Sequence, residues 1–196
     1  MSDFLLQSPE TDATLPRPRT VVAVVMRRER IDNRWQPWRW SLDEIVPHED
    51  GFGAAPRLLL KDEREERWLH PGFKVELFTD DGEGYYLNAT TAQPCFWVVW
   101  RMEEEAQLAE EPIAIPQIVT LSYHDAGRWL DAQETVEQVP APPEVVAWMR
   151  AFADEHYVIE PKRRKRPESF RTLTDRFGNA ASVSTEKKRG RGAGDV

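Results

Sequence analysis

Two short segments without charged residues constrain the fold of this chain more than any other feature. Residues 20–26 read TVVAVVM and residues 95–100 read CFWVVW. Both are too short for a typical helix, and the first is rich in β-branched residues, which favour strands. A strand that is apolar along its whole length is typically covered on both faces. We therefore predict that these two segments are the central strands of the fold.

The segment that follows the first of these strands is rich in tryptophan. Residues 32–40 read DNRWQPWRW, so three of the eight tryptophans lie within six residues of one another. Strand alternation places Trp38, Trp40 and Leu42 on one face, whereas Trp35 lies before a proline that bends the chain. We therefore predict that Trp38 and Trp40 are buried and that Trp35 is partly exposed.

The same segment interleaves its tryptophans with arginines. Large aromatic residues most often fill protein cores, which is the simpler interpretation of this pattern. Trp and Arg are also the side chains most often found as anchors of protein interfaces. On this second interpretation, the candidate partner-binding residues of the segment are Arg34, Trp35, Trp38 and Arg39.

The remaining sequence contains further strand and helix patterns. Alternation in residues 73–77 and 85–91, on either side of the turn-like sequence DDGEG, predicts a β-hairpin. Two prolines followed by apolar residues at helical spacing predict a helix at about 142–157. Shorter patterns indicate a loop at 47–56, strands at 57–61, 67–70 and 117–123, a bend at 71–72, a helix at 103–111, and a helical turn at 124–131 with Asp125 as its cap.

Together these elements predict a mainly β fold. Six to eight antiparallel strands form a sheet that curls into a small barrel, and the C-terminal α-helix lies across one opening. Residues 20–160 form this single domain. Residues 1–19 and 161–196 lack the apolar content needed to fold alone, so we predict a disordered N-terminal arm and a disordered basic tail.

Charge is distributed unevenly along the chain. The net charge of the 196 residues is −8, yet residues 161–196 contain eleven Lys and Arg against four Asp and Glu, a balance of +7. Residues 1–160 therefore carry about −15, which argues against nucleic-acid binding by the whole domain. The tail contains a candidate electrostatic arm for an acidic protein, phosphates or lipid headgroups, namely Lys162, Arg163, Arg164, Lys165 and Arg166.

The sequence contains no pattern typical of a catalytic, metal or cofactor site. Cys95 is the single cysteine, and the four histidines are scattered, at positions 48, 70, 124 and 156. Metal centres need clustered ligands, and nucleophilic catalysis needs a hydroxyl or thiol beside a base. We therefore expect no metal, cofactor or catalytic residue. The N-terminus lacks a secretory pattern and no segment reaches the roughly 20 apolar residues of a membrane span, so we expect a cytoplasmic protein.

Several separated blocks of the sequence resemble one uncharacterised bacterial family. The blocks are TVVAVVMRRERIDNRWQPWRW, GFKVELFTDDGEGYYLN, SYHDAGRWLD, and PPEVVAWMRAFADEHY followed by KRRKRP. In this order, across about residues 21–170, they resemble the domain of unknown function 3305. The resemblance implies no catalytic residues. It implies genes that neighbour those for a molybdenum-dependent formate dehydrogenase, an iron–sulfur protein and a dedicated chaperone, which indicates an accessory role.

Three functions are consistent with these observations. The first is a non-enzymatic cytoplasmic binding protein that assists the assembly or maturation of formate dehydrogenase, with that enzyme or its maturation factors as partners. The second is a small-molecule or catalytic site inside the barrel, near Tyr85, Tyr86, His70 and His124. The third is the binding of nucleic acid or another acidic partner through the basic tail.

Overall fold

The computed structural model describes residues 17–159, and within this range the chain forms seven β-strands and three α-helices. Most of the predicted N-terminal arm and all of the predicted basic tail lie outside the described residues. Short 3-10 turns occur at Asp50–Phe52 and Thr79–Asp81. The helices and strands are β1 Arg19–Arg30, β2 Trp38–Pro47, β3 Arg57–Lys61, β4 Glu65–Glu76, α1 Gly82–Ala89, β5 Cys95–Met102, β6 Ala114–Thr120, α2 Tyr123–Asp131, β7 Thr135–Pro140 and α3 Pro143–His156.

The strands form two antiparallel sheets, with the orders β2-β1-β4-β3 and β6-β5-β7. The prediction of a mainly β, antiparallel fold is confirmed, and β1 and β5 are central strands as predicted. The prediction of a barrel is wrong, because no closed barrel is found within residues 17–159. The two sheets approach each other at β2 and β7, where the Leu42 amide donates to the Glu137 carboxylate. This contact is made by a side chain and does not extend the strand ladder.

The main core lies between the two sheets and two of the helices. Side chains of β1, β4 and β5 meet α1 and α3 there, and Val24, Phe96 and Phe152 are among those that are fully enclosed. Burial of each large apolar side chain contributes roughly 1.5–3 kcal/mol. Helix α3 confirms the predicted C-terminal helix, and apolar residues at helical spacing along it are buried, namely Val145, Trp148, Met149 and Phe152.

Smaller apolar clusters cover the opposite faces of both central strands. On β1, Ala23 and Val25 pack with Leu69 and are covered by Phe52 of a 3-10 turn. On β5, Cys95 and Trp97 pack against Ala126 of α2. Because both faces are covered, the uninterrupted apolar composition of the two segments has a direct explanation.

The predicted β-hairpin at residues 73–91 is wrong, because its second arm is helix α1. The two largest polar side chains that the helix buries, Tyr85 and Asn88, are three residues apart and therefore share a helical face. Gly82 lies against the end of α3, where an added Cβ would come within 3.2 Å of the Tyr157 Cβ. The glycine thus permits a close helix contact rather than a hairpin turn. Helix α1 stands where a strand was predicted, so no strand pairs with both β4 and β5. The two sheets therefore remain separate and do not close into a barrel.

Three smaller predictions also need correction. Residues 103–111 form no helix but an irregular loop, closed by a bond from the Glu103 amide to the Ile113 carbonyl (3.0 Å). The cap of α2 is Ser122, whose hydroxyl accepts from the Asp125 amide (3.0 Å). Strand β7 was not predicted, because its sequence TVEQVP is polar and lies at the edge of its sheet.

Strand β4 passes through the predicted bend at residues 71–72 without ending there. The register against β1 shifts between the pairs Val24–His70 and Val22–Phe73, which identifies a β-bulge. Gly72 has φ +87°, a conformation that favours glycine. The proline and glycine therefore bend one 12-residue strand instead of separating two.

Candidate functional site

The end of the four-stranded sheet farthest from α1 and α3 carries two of the predicted binding residues, Arg34 and Trp35. We call this region the distal tip, formed by loop 31–37 between β1 and β2 and by turn 62–64 between β3 and β4. The Arg30 amide donates to the Arg64 carbonyl (2.8 Å), which ties the two connections together. The Asp62 carboxylate accepts from the amides of Arg64 and Glu65, and these bonds lower the pKa of Asp62.

Trp35 projects from the distal tip with 91% of its surface exposed. The Asn33 side chain accepts from the amides of Trp35 (3.0 Å) and Gln36 (3.4 Å), an Asx-turn that fixes the local backbone. The prediction that Trp35 is exposed is confirmed. The prediction that Trp38 and Trp40 are buried is only partly right, because both are half-buried; Trp40 packs on the main core.

Three arginines surround an open hollow of about 580 Å³ at the distal tip. We call it the arginine depression, and it is lined by Arg30, Arg34 and Arg64 together with Asp32. Eight of the thirteen arginines in residues 17–159 form ion pairs with carboxylates, but these three form none among the described residues. With three cations and one carboxylate, the depression is a local basic site on an otherwise acidic domain.

A second concave surface lies on the core-facing side of the sheet next to the distal tip. We call it the tryptophan cleft, and its volume is about 430 Å³. Its apolar walls come from both sheets and from the loop after β5, and its polar residues lie on β1, on β2 and in two loops. The lining residues are Trp38, Trp40, Trp100, Met102, Pro112, Arg28, Gln36, Arg39 and Glu111.

Arg28 connects the polar groups of the tryptophan cleft. Its guanidinium lies over the Trp38 ring, with its central carbon 4.8 Å from the ring centroid, a cation–π geometry. It also pairs with Glu66 (3.7 Å) and with Glu111. Glu66 is buried and accepts a hydrogen bond from the Trp68 indole (2.6 Å), so its carboxylate is held in place beneath Arg28.

The outer face of the same sheet has a different arrangement, because its charges are paired. Arg27 contacts Glu29 (3.2 Å) and Asp43 (3.8 Å), and Asp43 also contacts Arg67 (3.3 Å). Arg39 donates to Glu29, and this hydrogen bond is the main cause of a lowered pKa for Glu29. Arg39, one of the predicted binding residues, therefore belongs mainly to this charge ladder.

The residues named for a site inside a barrel do not form one enclosed pocket. Tyr85 is buried in the main core, where its hydroxyl accepts from the Phe78 amide (3.1 Å) and burial raises its pKa. His70 is buried on β4, and burial lowers its pKa to about 4. Tyr86 packs on Tyr157, and His124 contacts Asp81 (3.0 Å) at the surface.

The part of the chain that the structure describes contains neither a metal-binding cluster nor a helix able to span a membrane. Residues 17–159 bring together no group of three or more His, Cys, Asp or Glu side chains suited to a metal ion. Cys95 is a buried free thiol whose pKa is raised to about 11 by burial. None of the helices in this range combines the length and the apolar composition needed to cross a bilayer.

The sequence predicted some residues of the distal tip and of the tryptophan cleft, but not the others. Arg34, Trp35, Trp38 and Arg39 were predicted, whereas the predicted cluster at 162–166 lies outside the described residues. The residues missed are Arg28, Arg30, Arg64, Trp100, Met102 and Glu111. No local signal identifies them, because strand register and the two-sheet packing bring them together from distant parts of the chain.

Comparison with known proteins identifies one family. The model of a family described as "Protein of unknown function (DUF3305)" matches residues 21–166. No curated protein and no solved structure matches the chain.

Proposed function

The chain belongs to the DUF3305 family, and we propose that it is a non-enzymatic accessory protein that binds a protein partner through its distal tip. The observation that carries this proposal is the position of Trp35. Its indole is almost fully exposed, while Asn33 holds the backbone of its loop. A preorganised, exposed tryptophan can bury a large surface on binding without first ordering its loop.

The charges around Trp35 define the partner surface. Arg30, Arg34 and Arg64 have no carboxylate partner among the described residues, so they are available to carboxylates of another molecule. Bidentate pairs between guanidinium and carboxylate groups are strong and directional. The basic site is small and the surrounding domain is acidic. A short acidic segment of a protein therefore fits better than an extended polyanion such as duplex DNA, whose phosphates would also face acidic side chains.

The resemblance that places the chain near formate dehydrogenase genes supports a specific partner. We propose that the protein acts in the cytoplasm on molybdenum-dependent formate dehydrogenase, or on one of its maturation factors, during assembly. The absence of a catalytic pattern in the sequence is consistent with a binding role. Lys162 to Arg166 are proposed as an additional electrostatic arm that strengthens the same contact.

Affinity purification from the native host tests this function. Tagged wild-type protein should recover formate dehydrogenase subunits or a maturation factor, identified by mass spectrometry at low salt. Trp35→Ala and Arg34→Ala should lose most of this material while their thermal unfolding remains that of the wild type. Leu130→Ala is the matched control, since Leu130 is also an exposed apolar residue but lies on α2.

Two results would contradict the proposal. One is wild-type protein that recovers none of these proteins, and the other is Trp35→Ala protein that recovers them as well as the wild type does. Deleting residues 161–196 tests the basic tail separately. Recovery of nucleic acid that disappears with this deletion, but not with Trp35→Ala, would favour the third function predicted from the sequence.

A further inference from the structure

We propose that the tryptophan cleft is a binding site for an aromatic carboxylate, and that the Glu111 side chain occupies the carboxylate position when no ligand is bound. This inference is independent of the partner proposed for Trp35. The ligand's ring would pack between the tryptophans, and its carboxylate would pair with Arg28 in place of Glu111. The chemistry is shared by a free aromatic acid and by a peptide that ends in an aromatic residue.

Two residues that line the cleft have buried hydrogen-bond donors without acceptors. Trp100 is 9% exposed, and its indole Nε1 has no acceptor among the described residues. The Arg28 Nε is likewise buried and without an acceptor. A buried donor without a partner costs free energy, and such groups are uncommon in native structures. Two of the seven such atoms in residues 17–159 belong to residues that line this cleft, where a ligand with acceptor atoms would bind beside them.

The two side chains of the ion pair between Arg28 and Glu111 are buried to different extents. The Arg28 side chain is 17% exposed, whereas the Glu111 side chain is 64% exposed. Glu111 belongs to the irregular loop between β5 and β6, so it can leave without breaking a strand ladder. Arg28 remains in place because Glu66 and the Trp38 ring hold it. An incoming carboxylate would therefore find a positioned guanidinium and a displaceable competitor.

The walls of the tryptophan cleft combine aromatic rings with other apolar side chains. Trp38, Trp40 and Trp100 present aromatic surfaces, and Met102 and Pro112 complete an apolar lining. Aromatic groups pack well on such walls, and thioethers make favourable contacts with aromatic rings. The cleft volume of about 430 Å³ falls in the range of small-molecule sites. Exchange of one carboxylate for another leaves the net charge around Arg28 unchanged, so the site does not need a second cation.

The exchange model predicts that removal of the Glu111 charge strengthens binding. The probes are 1-naphthylacetate and its uncharged amide, titrated into the full-length protein by calorimetry, with the Trp100 indole N–H signal followed by NMR. The wild type should bind the acid and not the amide. Glu111→Gln should bind the acid about tenfold more tightly, because the competing carboxylate is gone. Glu110→Gln, which neutralises the neighbouring residue, should leave the affinity at the wild-type value.

Further variants locate the site and identify the source of the ligand. Arg28→Lys should abolish binding, and Trp100→Phe should remove the shifted indole signal and weaken binding. If Arg28→Lys does not fold, the affinity of Glu111→Gln for the acid still tests the proposal, because this variant retains every core contact. A short peptide with a C-terminal phenylalanine, compared with its amidated form, shows whether a chain terminus is accepted in addition to the free acid.

The proposal fails if neither the wild type nor Glu111→Gln binds the acid, or if the amide binds equally well. It also fails if Glu110→Gln strengthens binding as much as Glu111→Gln does, because the effect would then be one of general charge. Binding that is insensitive to both Arg28→Lys and Trp100→Phe would place the acid elsewhere and overturn the assignment. None of these outcomes depends on Trp35, so failure here is distinguishable from failure of the proposed function.

Discussion

The two ends of the four-stranded sheet differ in composition although the same strands run through both. At the end near the helices, Val22, Val75 and Leu77 are buried against α1, α3 and β5. At the distal end, β1 reads RRER and its neighbours contribute Trp38 and Glu66. The comparison shows that one continuous strand can supply both a core and a candidate binding surface. The composition changes after Met26, where the apolar segment of β1 ends and its charged residues begin.

Two polar side chains, Asn88 near the helices and Trp100 beside the cleft, differ in their hydrogen bonding. The Asn88 side chain, fully buried beside β5, donates to the carbonyls of Cys95 and Leu121 (2.8 Å each) and accepts from the Cys95 amide (3.0 Å). At the other end, the indole N–H of Trp100 and the Nε of Arg28 lack acceptors among the described residues. Buried polar groups in native proteins are usually hydrogen-bonded, so the Asn88 side chain has the arrangement of a structural group and the Trp100 indole N–H does not.

The largest difference should appear between two asparagines. Asn88→Ala removes three hydrogen bonds and leaves buried backbone groups unpaired, at roughly 1–3 kcal/mol for each group. We expect a loss of about 3–5 kcal/mol in the free energy of unfolding. Asn33→Ala, the matched change at the distal tip, should cost less than about 1 kcal/mol. Urea titrations measure both, and equal losses would contradict the division into a structural and a binding end.

His70 lies between the two ends and should make stability depend on pH. Burial lowers its pKa from 6.5 to about 4, so the protonated form is favoured in the unfolded chain. Its contribution is complete above pH 6.5 and is lost as the pH falls towards 4. The total is roughly 3 kcal/mol. Between these pH values, the free energy of unfolding should change more steeply with pH for the wild type than for His70→Leu. Parallel pH profiles of the two proteins would refute the assignment.

Two tryptophans give the next largest contrast. Trp40 is half-buried against the main core, so Trp40→Ala should cost roughly 2–3 kcal/mol, less than deletion of a fully enclosed ring. Trp35→Ala should change the free energy of unfolding by less than about 0.5 kcal/mol, because the indole is exposed. Thermal and chemical unfolding of the two variants checks the ranking. If the costs are equal, Trp35 packs in solution and the proposed interface loses its main support.

The smallest effect should come from the charge ladder on the outer face. Asp43 is its central carboxylate, since it contacts both Arg27 and Arg67. Both arginine side chains are about one-third exposed, so solvent weakens the pairs and Asp43→Asn should cost only about 0.5–1 kcal/mol. The difference from the wild type should shrink in 1 M salt. A loss that does not change with salt would indicate a packing effect instead.

Some elements were predictable because their patterns are complete within a few residues. Strand β5 and residues 20–26 of β1 are apolar at almost every position, and α3 combines N-terminal prolines with apolar residues at helical spacing. Trp35 was predicted to be partly exposed from Pro37, two residues further on, and from the flanking Arg34. The tryptophan cleft was not predicted, since Arg28 and Glu111 are separated by 83 positions and meet only through the packing of two sheets.

The sequence by itself determined which segments are apolar on both faces, where the amphipathic C-terminal helix begins, and that positive charge is concentrated in the tail. These properties are local, because they depend on side-chain periodicity and on the conformational preferences of proline. Tertiary structure decided that residues 82–89 are helical, because Asn88 and Tyr85 find buried partners and Gly82 allows α3 to approach closely. It also decided that the sheets stay open and that Arg28, Trp38, Trp100 and Glu111 share one cleft. Such contacts depend on strand register and on the packing of residues far apart in the chain, which no local pattern specifies.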